Sequence, residues 1–125
     1  MFWRPSHALE SIKVACSDET TALTTGLKRT FRMPYAFTLT EVRCELVTAQ
    51  ASGSMFTVDL KASGTTILST KLTIDNALTT SEAATTQPVI SNPNLADDEV
   101  ITIHVDTVGT GAAGLKVTFI GKQVA

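Results

Sequence analysis

The sequence predicts an all-β protein: a single antiparallel β-sandwich, jelly-roll or immunoglobulin-like, spanning residues 12–125 and preceded by a short N-terminal arm over 1–11. Three observations carry this. Apolar and polar residues alternate with period two in one segment after another, Thr, Val and Ile are abundant in those segments, and no stretch carries an apolar stripe at helical spacing. The alternation is cleanest over 55–75, on both sides of a Gly-containing turn, where it reads as a β-hairpin. Phe56, Val58, Leu60 and Ala62 share one face of its first strand; Leu68, Thr70, Leu72 and Ile74 share one face of its second; Thr57, Asp59 and Lys61 face solvent. If both apolar faces point the same way, paired residues share parity. That selects a three-residue loop, Ser63-Gly64-Thr65, with Leu60 opposite Leu68 and Phe56 opposite Leu72.

In chain order, residues 1–11 do not alternate and carry Pro5, yet hold the sole Trp of the chain beside Phe2. A short strand follows over 12–17, then a polar turn over 18–21. Over 27–33, Leu27, Phe31 and Met33 alternate with Lys28, Thr30 and Arg32, and Pro34 ends the ladder because it has no N–H to give. Arg29 sits on the apolar parity, which a bulge or a sheet edge would accommodate. The strand at 37–49 puts Val42, Cys44 and Leu46 inward and Glu41, Arg43 and Glu45 outward. Beside the 27–33 strand it would set Lys28 and Arg32 against Glu41 and Glu45. Residues 50–54 turn the chain into the hairpin. A Thr-, Ser- and Ala-rich loop runs to Gln87, a short strand occupies 88–90, and 91–94 has turn chemistry. Ile101, Ile103 and Val105 then alternate with Thr102, His104 and Asp106, and after 109–114 Leu115, Val117 and Phe119 alternate with Lys116 and Thr118. These last two runs read as a second hairpin.

Composition narrows the function classes. A net charge of −2 with 18% charged residues offers no basic field to nucleic acid or to an anionic membrane. The N-terminus lacks the apolar core of a signal peptide, and no segment approaches the length of a membrane span, so the expected place of synthesis is a cytosol. Cys16 and Cys44 both fall on inward parity. They read as buried small hydrophobes, with a disulfide as the alternative.

Several motifs invite chemistry. Gly109-Thr110-Gly111-Ala112-Ala113-Gly114 is a literal G-x-G-x-x-G after a strand, but the residues that follow alternate as a strand instead of opening a helix, so it reads as a hairpin loop. His104 and Asp106 project from one face of one strand, which is a solvated face before it is a catalytic dyad. Two histidines and two cysteines in four separate segments have no zinc spacing, and Asp97-Asp98-Glu99 lacks the alternation and the loop glycine of a calcium site. Trp3 and Tyr35 are the only members of their kinds, a poor supply for stacking on sugars, so a glycan would be held by polar loop groups. No catalytic residue, cofactor or metal is expected.

The order of 16–23 (Cys-Ser-Asp-Glu-Thr-Thr-Ala-Leu), 31–35 (Phe-Arg-Met-Pro-Tyr), 55–59 (Met-Phe-Thr-Val-Asp), 66–75 (Thr-Ile-Leu-Ser-Thr-Lys-Leu-Thr-Ile-Asp) and 114–117 (Gly-Leu-Lys-Val) resembles a β-sandwich module common in virion structural proteins of tailed bacteriophages. The resemblance covers nearly all of 12–121; residues 1–11 have no counterpart in it. It implies a non-enzymatic virion component made in the host cytoplasm: a capsid decoration (cement) protein, or alternatively a receptor- or glycan-binding module of a tail or fibre tip. The partners it implies are further copies of the chain, as a trimer, and phage capsid or tail proteins. The expected contact residues are Phe2, Trp3, Arg4 and Pro5 of the arm, together with Val47, Ile67, Val100 and Ile120, which the alternation places outward on the sandwich.

Overall fold

The computed structural model describes residues 8–124. Among the described residues eleven strands are present: β1 (Glu10–Ala15), β2 (Gly26–Arg32), β3 (Phe37–Glu45), β4 (Phe56–Ala62), β5 (Thr65–Thr66), β6 (Leu68–Thr70), β7 (Leu72–Ile74), β8 (Val89–Ile90), β9 (Asn94–Leu95), β10 (Val100–Thr107) and β11 (Lys116–Gln123). Among the described residues the one helical element is a single 3-10 turn, Ser81–Ala83. The strands form two principal antiparallel sheets, one ordered β1-β11-β3-β9 and the other β2-β10-β4-β5, with β7 also on β4; β6 and β8 make a separate two-stranded ribbon. The β-sandwich expected from the alternation is the observed fold class.

Between bulges each long strand is buried on one parity because the two sheets share one interior. Phe37, Leu39, Val42 and Cys44 of β3 and Val117 and Phe119 of β11 come from the first sheet; Phe56, Val58 and Leu60 of β4 and Ile101, Ile103 and Val105 of β10 come from the second; none is more than 3% exposed. Fully burying side chains of this size is worth about 1.5–3 kcal/mol each relative to leaving them in water. Phe31 of β2 meets Phe119 of β11 edge to face across the layers, with ring centroids 5.6 Å apart. The phase shift between Leu39 and Val42 comes from a bulge at Ile120/Gly121, where Gly121 lies opposite Leu39. A Cβ on Gly121 would stand 2.1 Å from the Thr38 carbonyl oxygen, so only glycine fits.

Arg29 is accommodated in both of the expected ways. β2 is an edge strand, and its ladder to β10 is bulged beside Arg29, which stays exposed and donates from Nε to the Ala15 carbonyl at 3.0 Å. The same bulge overturns another expectation: Leu27 loses the inward phase and is 56% exposed.

Three pairings differ from the sequence reading. The 55–75 hairpin turns through two residues, Ser63 (φ 51°) and Gly64 (φ 83°), pairing Ala62 with Thr65. Leu60 therefore meets Ile67, whose N–H donates to the Leu60 carbonyl at 2.9 Å, and not Leu68. A Ser-Gly pair in the left-handed region matches the twist of a tight hairpin. Residues 68–70 then leave the sheet to pair with β8, and the chain returns with Val58 opposite Leu72 and Phe56 opposite Ile74. Shared parity survives in the distal half, shifted by one pair.

The second difference is that β2 and β3 are not neighbours, so Lys28 and Arg32 do not face Glu41 and Glu45. β3 pairs with β11 instead, and Lys13 reaches Glu45 at 2.7 Å. Third, β10 and β11 do not form a hairpin: β10 lies between β2 and β4, β11 between β1 and β3, and 108–115 crosses between the sheets. In the second and third cases consecutive strands serve opposite layers, because a sandwich closes its core by sending the chain across it.

Candidate functional site

The residues expected to make contacts do not form one patch. Phe2, Trp3, Arg4 and Pro5 lie outside the described residues. Val47 is 50% exposed just past β3; Val100 and Ile120 are half-buried on strands of different sheets. Ile67 is fully buried, which corrects its outward assignment. The two-residue turn sets it beside Leu60 on the core side, whereas the three-residue loop would have turned it outward.

Two clefts lie on the outside of the first sheet. A shallow depression of about 460 Å³ is floored by Thr118 and Ile120 and rimmed by Ser11, Lys13, Arg43, Glu45, Thr79 and Thr80. A second cleft of about 400 Å³ lies between Thr40, Glu41 and Val42 of β3 and the Gln87, Pro88, Val89 and Ile90 segment. Glu82 lines both. The Arg43 guanidinium sits between Glu41, its closer partner, and Glu82 at 3.2 Å. The hydrogen bond from Arg43 holds the Glu41 carboxyl below its ordinary range.

The second sheet carries a charged cluster on its outer side. Asp59, expected to face solvent, is 3% exposed: Thr66 Oγ1 donates to its Oδ1 at 2.5 Å, and Lys71 Nζ stands 3.9 Å from its Oδ2. Lys71 also pairs with Asp106 at 2.5 Å, and that bond raises the lysine's pKa. His104 Nε2 lies 3.0 Å from Thr102 Oγ1. Asp106 is thus engaged by Lys71 and His104 by Thr102.

The acidic turn is tied to neighbouring segments. Arg32 binds the carbonyl and carboxylate of Asp98, while Glu99 accepts from Ser63 Oγ and from the Ala96 N–H. His7 lies outside the described residues, and among the described residues no group of three or more His, Cys, Asp and Glu is placed to hold a metal. Nor is any helix among them long and apolar enough to cross a membrane.

The glycine-rich 109–114 segment opens no helix. It is pinned by bridges from Thr48 to Ala113 and from Ser52 to Thr110. Behind it lies the side chain of Gln50, 1% exposed, whose Nε2 donates to the Ser54 carbonyl at 2.6 Å and to Asn76 Oδ1 at 2.9 Å while Oε1 accepts from the Gly109 N–H at 2.6 Å. Three loops therefore meet at one amide. Nothing in the local sequence marks Gln50, which stands in a stretch of turn residues.

Cys16 and Cys44 are free and buried, which resolves the two readings in favour of thiols. Burial pushes the Cys16 thiol up to about 11 and the Cys44 thiol up to about 12. An acid whose folded pKa lies above its unfolded value, about 8.5 for cysteine, leaves stability whole below that unfolded value. That stability drains as pH rises toward the folded pKa. Native protein at pH 8 is accordingly expected to resist a thiol reagent, with two equivalents reacting after unfolding, and the urea midpoint is expected to fall as pH climbs above about 9. Rapid labelling of the native state would show that these thiols open to solvent.

Compared with known proteins, the chain matches no family model, no curated protein and no solved structure.

Proposed function

We propose that this chain is a non-enzymatic structural protein of a tailed-bacteriophage virion, a capsid decoration protein that sits on the assembled head and adds buried area between neighbouring subunits. The observation that carries the reading is the exposure of large apolar side chains around a filled core: Leu9, Leu27, Val47, Met55, Val89 and Val124 are between 41% and 62% exposed. Contiguous apolar area is what an interface covers, and packing copies side by side on a shell is what would bring these separate residues together. The resemblance of 12–121 to phage virion modules supplies the setting. The mechanism is mass action: a protein that binds only the assembled shell stabilises it by the free energy of that binding.

A second reading, a receptor- or glycan-binding module at a tail or fibre tip, draws on the outer depression, whose hydroxyls of Ser11, Thr79, Thr80 and Thr118 beside Lys13 and Arg43 suit a polar ligand. Locating and counting the chain on the particle separates them. Decoration requires hundreds of copies on the head, and heads lacking the chain should break at lower temperature and recover when purified protein is added back. A few copies at the tail would transfer the assignment to the second reading.

A further inference from the structure

The edge of β3 is covered at both ends and open in the middle. Toward the β9 side, Leu39 donates to the Pro93 carbonyl at 2.8 Å; farther along, Cys44 donates to Ser81 Oγ at 2.9 Å and Leu46 to the Thr79 carbonyl at 2.9 Å. Backbone groups two residues apart on a strand point to the same side. The N–H and C=O of Val42 therefore point away from β11, into the 400 Å³ cleft whose far wall is Gln87, Pro88, Val89 and Ile90. β8 in turn pairs only with β6 and forms no ladder with β3. The cleft is thus a gap between the uncovered stretch of the β3 edge and the segment that carries β8, with the exposed Val89 side chain on its wall.

The geometry points to this gap as an acceptor for an added strand, and to the N-terminal residues Phe2-Trp3-Arg4-Pro5 of a second copy as its occupant. Three features select that occupant. Pro88, Val89 and Ile90 offer apolar surface for Phe2 and Trp3. The carboxylates of Glu41 and Glu82 share the one Arg43 guanidinium, which leaves the cleft a net negative charge for Arg4 to meet. The copy's own segment cannot place all four of these residues there. It enters the sheet at β1, and to lie beyond β3 it must cross roughly three strand spacings, about 14 Å. Pro5 stands three residues from Ala8, a reach of at most about 11 Å. Strand addition of this kind joins copies head to tail, each giving an arm and receiving one. The inference deepens the reading of the chain as a self-associating assembly component and rests on it. It is tested in solution, so its failure leaves the particle assignment standing.

Trp3 is the sole tryptophan, so its emission reports the arm alone. As the concentration of the full chain is raised, Trp3 emission is expected to shift to the blue in step with a rise in sedimenting mass. Val89→Asp, at an exposed position, is expected to weaken both at least tenfold. Mixing Val89→Asp, which keeps its arm, with Trp3→Ala, which keeps its cleft, should restore the blue shift, since one working arm and one working cleft then meet. Should Val89→Asp fail to fold, Arg4→Glu, outside the sandwich, is expected to weaken association at least tenfold by repulsion from Glu41 and Glu82. A blue shift independent of concentration would overturn the proposal in favour of docking on the same copy. So would association that neither variant weakens, or the absence of any association.

Discussion

Replacing Gln50 by Leu is expected to destabilise the protein by about 1–3 kcal/mol, more than any substitution of an exposed polar residue. The side chains are close in volume, so the effect is one of hydrogen bonding. Gln50 satisfies the Ser54 carbonyl, Asn76 Oδ1 and the Gly109 N–H, which belong to three different loops. A buried polar group left without a partner costs about 1–3 kcal/mol; Leu would leave the half-buried Gly109 N–H without one, while the Ser54 carbonyl and Asn76 Oδ1 belong to exposed residues that can turn to water. The space is too tight for a rearranged path: a Cβ on Gly109 would stand 2.1 Å from the Ser52 carbonyl and 2.9 Å from the Gln50 amide. For a domain of this length the loss corresponds to a fall in melting temperature of roughly 4–12 °C. Urea unfolding with an unchanged slope would assign it to stability. A loss under about 1 kcal/mol would mean that water enters the loops and replaces the amide.

Phe119→Ala is expected to cost about 3–5 kcal/mol, and Phe119→Leu no more than about 1.5. Phe119 is fully buried, stands in register with Ile12 on one side and Val42 on the other, and meets the Phe31 ring of the opposite sheet. Truncation opens a cavity at the contact between the layers, where backbone hydrogen bonds on both sides of β11 resist collapse. Leu refills most of the volume and forfeits the edge-to-face contact. Denaturant titration of both variants checks the ordering. Equal losses for the two would show that the aromatic contact, and not the filled volume, stabilises this part of the core.

Which residues are buried was largely legible in the sequence, because burial in a half-buried strand follows from period two alone. Phe56, Val58 and Leu60, then Ile101, Ile103 and Val105, then Val117 and Phe119, alternate in the sequence and are buried in the structure. The accommodation of Arg29 was legible for the same reason, since a charge on an apolar parity needs an edge or a bulge. What period two cannot tell is which strand lies beside which. Parity was compatible with a three-residue loop, but the left-handed pair Ser63 and Gly64 closed the hairpin in two residues, and the 68–70 segment left the sheet to pair with β8. The tight turn put Ile67 beside Leu60 in the core, and Thr66 and Lys71 covered Asp59, neither of which alternation alone could show.

β10 and β11 alternate like the arms of one hairpin and yet serve opposite sheets, since the need to close both layers over one core is a property of the whole chain. The site features lie further still from local pattern. Gln50 became the tie between three loops, and the Val42 edge became an open gap, through contacts between residues far apart in sequence. Alternation decided which side chains face inward, because that depends on each strand by itself. The tertiary structure decided which edges are paired, which polar groups are enclosed and which gap is left, because each of those depends on where a distant strand comes to rest.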